Sequence, residues 1–133
     1  MNVAERTVRA SWTGGLRTVV RAGDFEVVAD EPASAGGTGT APQPTELLLA
    51  SIASCFTLAL AFSARKLGIE LAPDTQVEVT GRYRGPQFDS FRIVVRTSSP
   101  EGEDLGTLIK SAERVCYVTR TLRGSPEIEV VAE

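Results

Sequence analysis

Eighteen consecutive residues without a charge, Leu47 to Ala64, constrain this chain more than any other feature in it. A run of that length touches the lower limit for a membrane span. Ser51, Ser54, Thr57 and Ser63 dilute it, however, and no second run accompanies it, so the pattern predicts a helix buried in protein and no membrane partner. Its ends are clearly marked. Pro44 suits a first helical turn, Glu46 sits near the positive end of the helix dipole, Arg65 and Lys66 near the negative end, and Gly68 is a natural C-cap. Together these predict about 24 residues of helix, roughly 36 Å long. Apolar residues occur on every face, which predicts protein on all sides of it.

Short strands surround this helix in the sequence. Val8, Ala10 and Trp12 alternate with polar neighbours, Gly14-Gly15 makes a turn, Leu16, Thr18 and Val20 follow, and Gly23-Asp24 turns into Phe25, Val27 and Ala29. Residues 31–43, rich in Gly, Ser, Thr and Pro, predict a loop without helix or strand. Beyond the helix, Thr75–Arg84 and Phe88–Ser98 read as a hairpin about Gly85-Pro86. Asp104–Val118 reads as an amphipathic helix with Leu105, Leu108, Ile109, Ala112 and Val115/Cys116 on one stripe, and Glu127–Ala132 as a last strand. No long linker divides these elements, which predicts one α+β domain over residues 1–133.

The 133 residues include no histidine, and this excludes Ser-His-Asp and Cys-His nucleophile pairs and most zinc sites. No metal and no cofactor is predicted. Fourteen basic and 17 acidic residues give a net charge of −3 without a basic run, which argues against a nucleic-acid partner. Met1–Arg21 has no continuous apolar core of the signal-peptide kind, and a cytoplasmic, reducing setting is predicted. The reactive chemistry left is that of Cys55, in the middle of the long helix, and Cys116, 61 positions further on. They form no CxxC motif and have no metal-ligand spacing; on spacing alone both also read as small core hydrophobes.

The residues around them carry more. Asp30-Glu31-Pro32, Gly36-Gly37, Pro42, Pro44 and the run Glu46-Leu47-Leu48-Leu49-Ala50-Ser51-Ile52-Ala53-Ser54-Cys55 resemble the signature of the OsmC/Ohr family. Glu113-Arg114-Val115-Cys116, with Val118, Thr119 and Leu122 after it, is similar to that family's second cysteine segment. The resemblance covers nearly the whole chain. It implies an OsmC-like fold, with antiparallel sheets wrapped around a long buried central helix in an intertwined homodimer whose two long helices cross. It also implies reduction of organic hydroperoxides: Cys55 attacks the peroxide and becomes a sulfenic acid, Cys116 condenses with it to a disulfide, and a small dithiol or lipoyl-type reductant restores both.

A buried thiol needs a cation to ionise at neutral pH, and in the family an arginine oriented by a glutamate stands beside it. This chain departs from that pattern. Its arginine after Thr13-Gly14-Gly15 is Arg17, one position late, which on a strand turns the side chain to the opposite face unless a bulge or another turn intervenes. Arg21, Arg114 and Arg120 are substitutes. The glutamate position holds Thr45, with Glu46 as its neighbour, and Glu46 also reads simply as a charge at a helix N-terminus. Glu46 and Cys55 stand nine residues apart, about 13 Å along one straight helix and on opposite faces, so they do not meet within it. If both serve one site, either a partner subunit supplies one of them or Glu46 does not touch the reacting groups. Phe56, Phe62, Leu48, Leu49 and Trp12 are available to line an apolar pocket. The competing function is a dimer of the same fold that has lost the peroxidase and binds an apolar small ligand or is purely structural.

Overall fold

The computed structural model describes residues 4–133. They divide into two compact units, the residues up to Leu48 and those from Leu49 to Glu133.

The first unit is the expected meander. Strands β1 (Arg9–Trp12), β2 (Thr18–Ala22) and β3 (Phe25–Ala29) form an antiparallel sheet in sequence order. The β2–β3 register pairs Ala22 with Phe25 around Gly23-Asp24, and Gly23 takes the positive φ of 61° that a tight hairpin demands. The β1–β2 turn is wider: Arg17 donates its N–H to the Gly14 carbonyl, Thr13 donates to that of Arg17, and the Trp12 indole is tied to the Gly15 carbonyl at 3.0 Å. The loop beyond β3 holds a short 3-10 turn at Ala33–Ala35, which its composition did not announce.

Helix α1 spans Pro44–Leu67, 24 residues, starting and stopping at its sequence punctuation. Gly68 ends it in a left-handed conformation at φ 67°, and Ile69 N–H returns to the Ala64 carbonyl at 3.0 Å. Ile52, Phe56, Ala59, Leu60, Ser63 and Ala64 are its buried stripe. Helix α1 is long and apolar enough to cross a membrane, but this stripe belongs to a protein core. Burial on every face is not observed in the single chain: Ala50, Ser51, Ser54, Leu58, Ala61 and Phe62 stay exposed along one side, because the described elements cover only the opposite stripe.

In the second unit β4 (Gln76–Arg84) and β5 (Gln87–Arg96) form an antiparallel hairpin around Gly85-Pro86, with a register shift at Arg82/Tyr83. The hairpin and α1 approach closely at Gly81, where an added Cβ would lie 2.6 Å from the Phe88 ring and 3.0 Å from Leu49. Helix α2 (Gly102–Val115) lays Leu108 and Ala112 into the core beside Phe56, Leu60 and Ala64, with Val77, Ile93 and Val95 of the hairpin packed against the same cluster. Full burial of a leucine such as Leu108 contributes roughly 1.5–3 kcal/mol.

Two expectations are corrected. The second helix does not continue to Val118: it stops at Val115, Cys116 is extended (φ −76°, ψ 104°), and a separate helix α3 runs from Tyr117 to Arg123. The apolar stripe continued across this joint, and no Gly or Pro marked it. The final strand over Glu127–Ala132 is also absent, since its residues join no ladder among the described residues and Ile128 and Val130 are open to solvent. Alternation defines a strand's faces but supplies no neighbour to bond with.

Candidate functional site: a thiol pair and a buried carboxylate hub

In the second unit the break between α2 and α3 sets up Cys116. Its N–H still closes on the Ala112 carbonyl at 2.9 Å, while its extended backbone lets the first turn of α3 fold back toward the side chain. The Thr119 hydroxyl oxygen lies 3.3 Å from the Cys116 carbonyl oxygen. Cys116 is fully buried, and burial alone would push its thiol up. Hydrogen bonds to the sulfur from the Thr119 side chain, the Thr119 N–H, the Cys55 thiol and the Val118 N–H outweigh this and hold it below the usual 9.0. Cys55 and Cys116, 61 positions apart, are both free thiols, and Cys55 packs against the core cluster that contains Cys116.

Only Cys55 is open to a visitor. It lines a cavity of about 440 Å³ together with Leu58, Ala59, Phe62, Val115 and Tyr117. Of the pocket residues anticipated from sequence, Phe62 is at this cavity, Phe56 belongs to the core, and Trp12 lines a different cavity, in the first unit. Tyr117 lines the cavity too. No arginine is among the described residues lining it. Of the substitute arginines, Arg21 pairs with Glu26 at 2.6 Å, and Arg120 donates to the Arg114 carbonyl at 2.6 Å. Among the described residues no group of His, Cys, Asp or Glu side chains is arranged to hold a metal ion.

In the first unit the wide turn after Gly14-Gly15 resets the direction of Arg17. It precedes β2 rather than alternating within it, and its guanidinium donates to the Thr40 hydroxyl at 2.6 Å, 3.9 Å from the Asp30 carboxylate. Asp30 is buried and sits at the centre of the Gly-rich loop. It accepts the N–H groups of Glu31 (2.8 Å), Thr40 (3.2 Å) and Thr38 (3.3 Å), and the hydroxyls of Thr38 and of Thr40 (3.1 Å). The Thr38 hydroxyl bond lowers its pKa most; the three N–H bonds add to it and burial opposes it, with the net result well below the usual carboxylate range. Glu46 takes no part. Its carboxylate accepts the Gln43 N–H at 3.0 Å, the bond by which the third residue of a helix caps its own start.

The OsmC-like protein family model matches residues 37–131. The chain belongs to the OsmC-like family. Among its relatives are two Bacillus subtilis proteins, the uncharacterized protein YmaD and the organic hydroperoxide resistance protein OhrB. YmaD is 26% identical over 94% of this chain and 91% of its own length. OhrB is 27% identical over 96% of this chain and 94% of its own. The OhrB crystal structure superposes with a TM-score of 0.66 over 91% of this chain and 92% of that one, at 25% identity. An osmotic stress induced and detoxification response protein from Psychrobacter arcticus gives 0.76 over 90% of both chains, at 26% identity.

The fold expected for an OsmC-like chain is therefore present. Thr38 and Thr40 are features of this OsmC-like protein that the sequence did not single out, while Asp30 and Thr119 stood in its family-like segments without an assigned role. The contacts of Asp30, Thr38 and Thr40 depend on how the loop closes, and those of Thr119 on the unmarked break at Cys116. Chemically, the thiol pair offers an accessible sulfur next to a buried sulfur that is biased toward thiolate, the two halves of a disulfide-forming reaction.

Proposed function

We propose that this protein is a thiol-dependent reductase of organic hydroperoxides in oxidative-stress defence. The carrying observation is the Cys55–Cys116 pair, one thiol at an apolar cavity and the other buried against it. The Cys55 thiolate attacks the outer oxygen of the hydroperoxide; the O–O bond breaks, the alkoxide leaves as alcohol after protonation, and Cys55 becomes a sulfenic acid. The Cys116 thiolate then attacks the Cys55 sulfur and displaces hydroxide, leaving a disulfide. A small dithiol or lipoyl-type reductant supplies the two electrons that return both thiols. Substrate class follows from the family and from OhrB, whose name carries organic hydroperoxide resistance, and the apolar lining around Cys55 favours an alkyl hydroperoxide over hydrogen peroxide.

Arg17 is proposed as the charge that stabilises the Cys55 thiolate and Glu46 as the carboxylate that orients it, with either the thiol or the carboxylate coming from the partner subunit, while Glu46 also caps the start of the helix carrying Cys55. The working form is a cytoplasmic homodimer, in which a second copy covers the exposed side of α1. One observation favours a second function: because no arginine lines the cavity among the described residues, the same pocket suits a dimer that holds an apolar ligand without turning over peroxide.

Steady-state turnover separates the two. With dihydrolipoic acid as reductant, cumene hydroperoxide should be consumed and cumyl alcohol formed, much faster than hydrogen peroxide is consumed, and Cys55→Ser should abolish both. Wild-type protein no faster than Cys55→Ser would overturn the peroxidase and leave the ligand-binding dimer.

A further inference from the structure

The Leu49–Glu133 unit holds a second cavity, of about 310 Å³, among α1, β5 and α3, and it shares no lining residue with the Cys55 cavity. Most of its lining is apolar: Ile52 of α1, Phe91 and Ile93 of β5, and Leu122 of α3. Ile52 belongs to the buried stripe of α1, so the cavity lies away from the exposed side that a second copy would cover. Ligand pockets span roughly 300–1,000 Å³, and a cavity at the lower end of that range calls for a small occupant.

The charges at the cavity decide the sign of that occupant. Asp89 and Arg123 are its two ionised lining residues. Asp89 is already matched, because it accepts the Nε and Nη2 of Arg82, each at 3.2 Å. Arg123 forms no ion pair among the described residues. It also lines an adjoining cleft of about 400 Å³ with Lys110, Arg114 and Arg120, where Glu113 is the one acid. Lys110 and Arg114 likewise have no ion-pair partner among the described residues, in a chain whose net charge is −3. An apolar lining beside an unmatched cation is complementary to an apolar chain that ends in an anion.

We propose that this cavity is a second ligand site, separate from the thiol cavity, for a small apolar carboxylate whose chain lies on Ile52, Phe91, Ile93 and Leu122 and whose head meets Arg123. The site goes beyond peroxide chemistry and does not depend on it. Thr119 also lines the cavity, with its hydroxyl oxygen 3.3 Å from the Cys116 carbonyl oxygen, so the occupant touches a neighbour of the buried thiol without touching the thiol itself.

Amide NMR titration of the reduced full-length protein with octanoate tests this, with no peroxide present. Saturable binding should move the resonances of Ile93, Thr119 and Leu122. Affinity should rise roughly two- to fourfold for each CH2 added from butanoate to octanoate, the effect of burying one. Octan-1-ol, with the same chain and no charge, should bind about three- to fivefold more weakly than octanoate, as expected for one solvent-exposed ion pair. Arg123→Gln, a change on the exposed end of α3, should abolish that difference and leave octan-1-ol binding unchanged. Absence of saturable binding, or shifts confined to Leu58, Phe62 and Tyr117 at the Cys55 cavity, would overturn the site. A preference for octanoate that survives Arg123→Gln would overturn the assignment of the head group to Arg123, and with it the proposal.

Discussion

At the scale of single residues, the proposed chemistry asks a buried thiol, Cys116, to ionise without a histidine. Its acidity comes from hydrogen bonds, chiefly from Thr119, that outweigh burial. A thiol held below its usual 9.0 stabilises the folded state fully above that pH and loses the contribution as pH falls through the folded value. Urea titrations should therefore show wild-type stability rising relative to Cys116→Ala as pH goes from neutral toward 9, and parallel curves would contradict the assigned bonds. The same substitution tests its role. With Cys116→Ala, one equivalent of hydroperoxide should leave a sulfenic acid on Cys55 that dimedone traps, whereas the wild type should trap little. Both cysteines and Arg17 were legible in the sequence only as candidates, because thiol chemistry restricts such roles to few residue types. Asp30 with its Thr38 and Thr40 donors was not, because those contacts depend on how the loop closes. At Gly37 an added Cβ would lie 1.9 Å from the Glu31 carbonyl oxygen, a close approach no periodicity reveals.

Elements with marked ends were read correctly, and those whose ends depend on tertiary contacts were not. Helix α1 begins at Pro44 and stops before Gly68 because both residues enforce their local geometry. The joint at Cys116 carries no such residue, and the isolated Glu127–Ala132 segment lacks a neighbour within the described chain. Two glycines separate backbone permissiveness from packing. Gly106 lies in the middle of α2 with open space where a Cβ would go, so Gly106→Ala should stabilise the protein by about 0.8–1 kcal/mol through helix propensity. Gly81→Ala must push aside the Phe88 ring and should instead destabilise by about 1–3 kcal/mol. Chemical denaturation reads both, and the same sign for the two would contradict the packing of the hairpin against α1.

For the whole molecule, the exposed side of α1 is the feature to explain. Ala50, Ser51, Ser54, Leu58, Ala61 and Phe62 form a stripe of small and apolar residues, with Leu58 69% and Phe62 53% exposed. In the proposed homodimer a second copy covers it. Leu58→Glu should shift sedimentation from dimer to monomer, and an unchanged dimer would place the interface elsewhere. The sequence predicts a helix enclosed on every side, whereas the single chain covers only one side of it. Whatever the assembly, Cys55 and Cys116 are proposed as a redox pair that an organic hydroperoxide oxidises. Intact mass and thiol counting after mixing the reduced protein with one equivalent of cumene hydroperoxide test it directly. The account predicts rapid loss of both thiols and a Cys55–Cys116 disulfide within each chain, absent in Cys55→Ser. Thiols that stay reduced for many minutes in the wild type would contradict it.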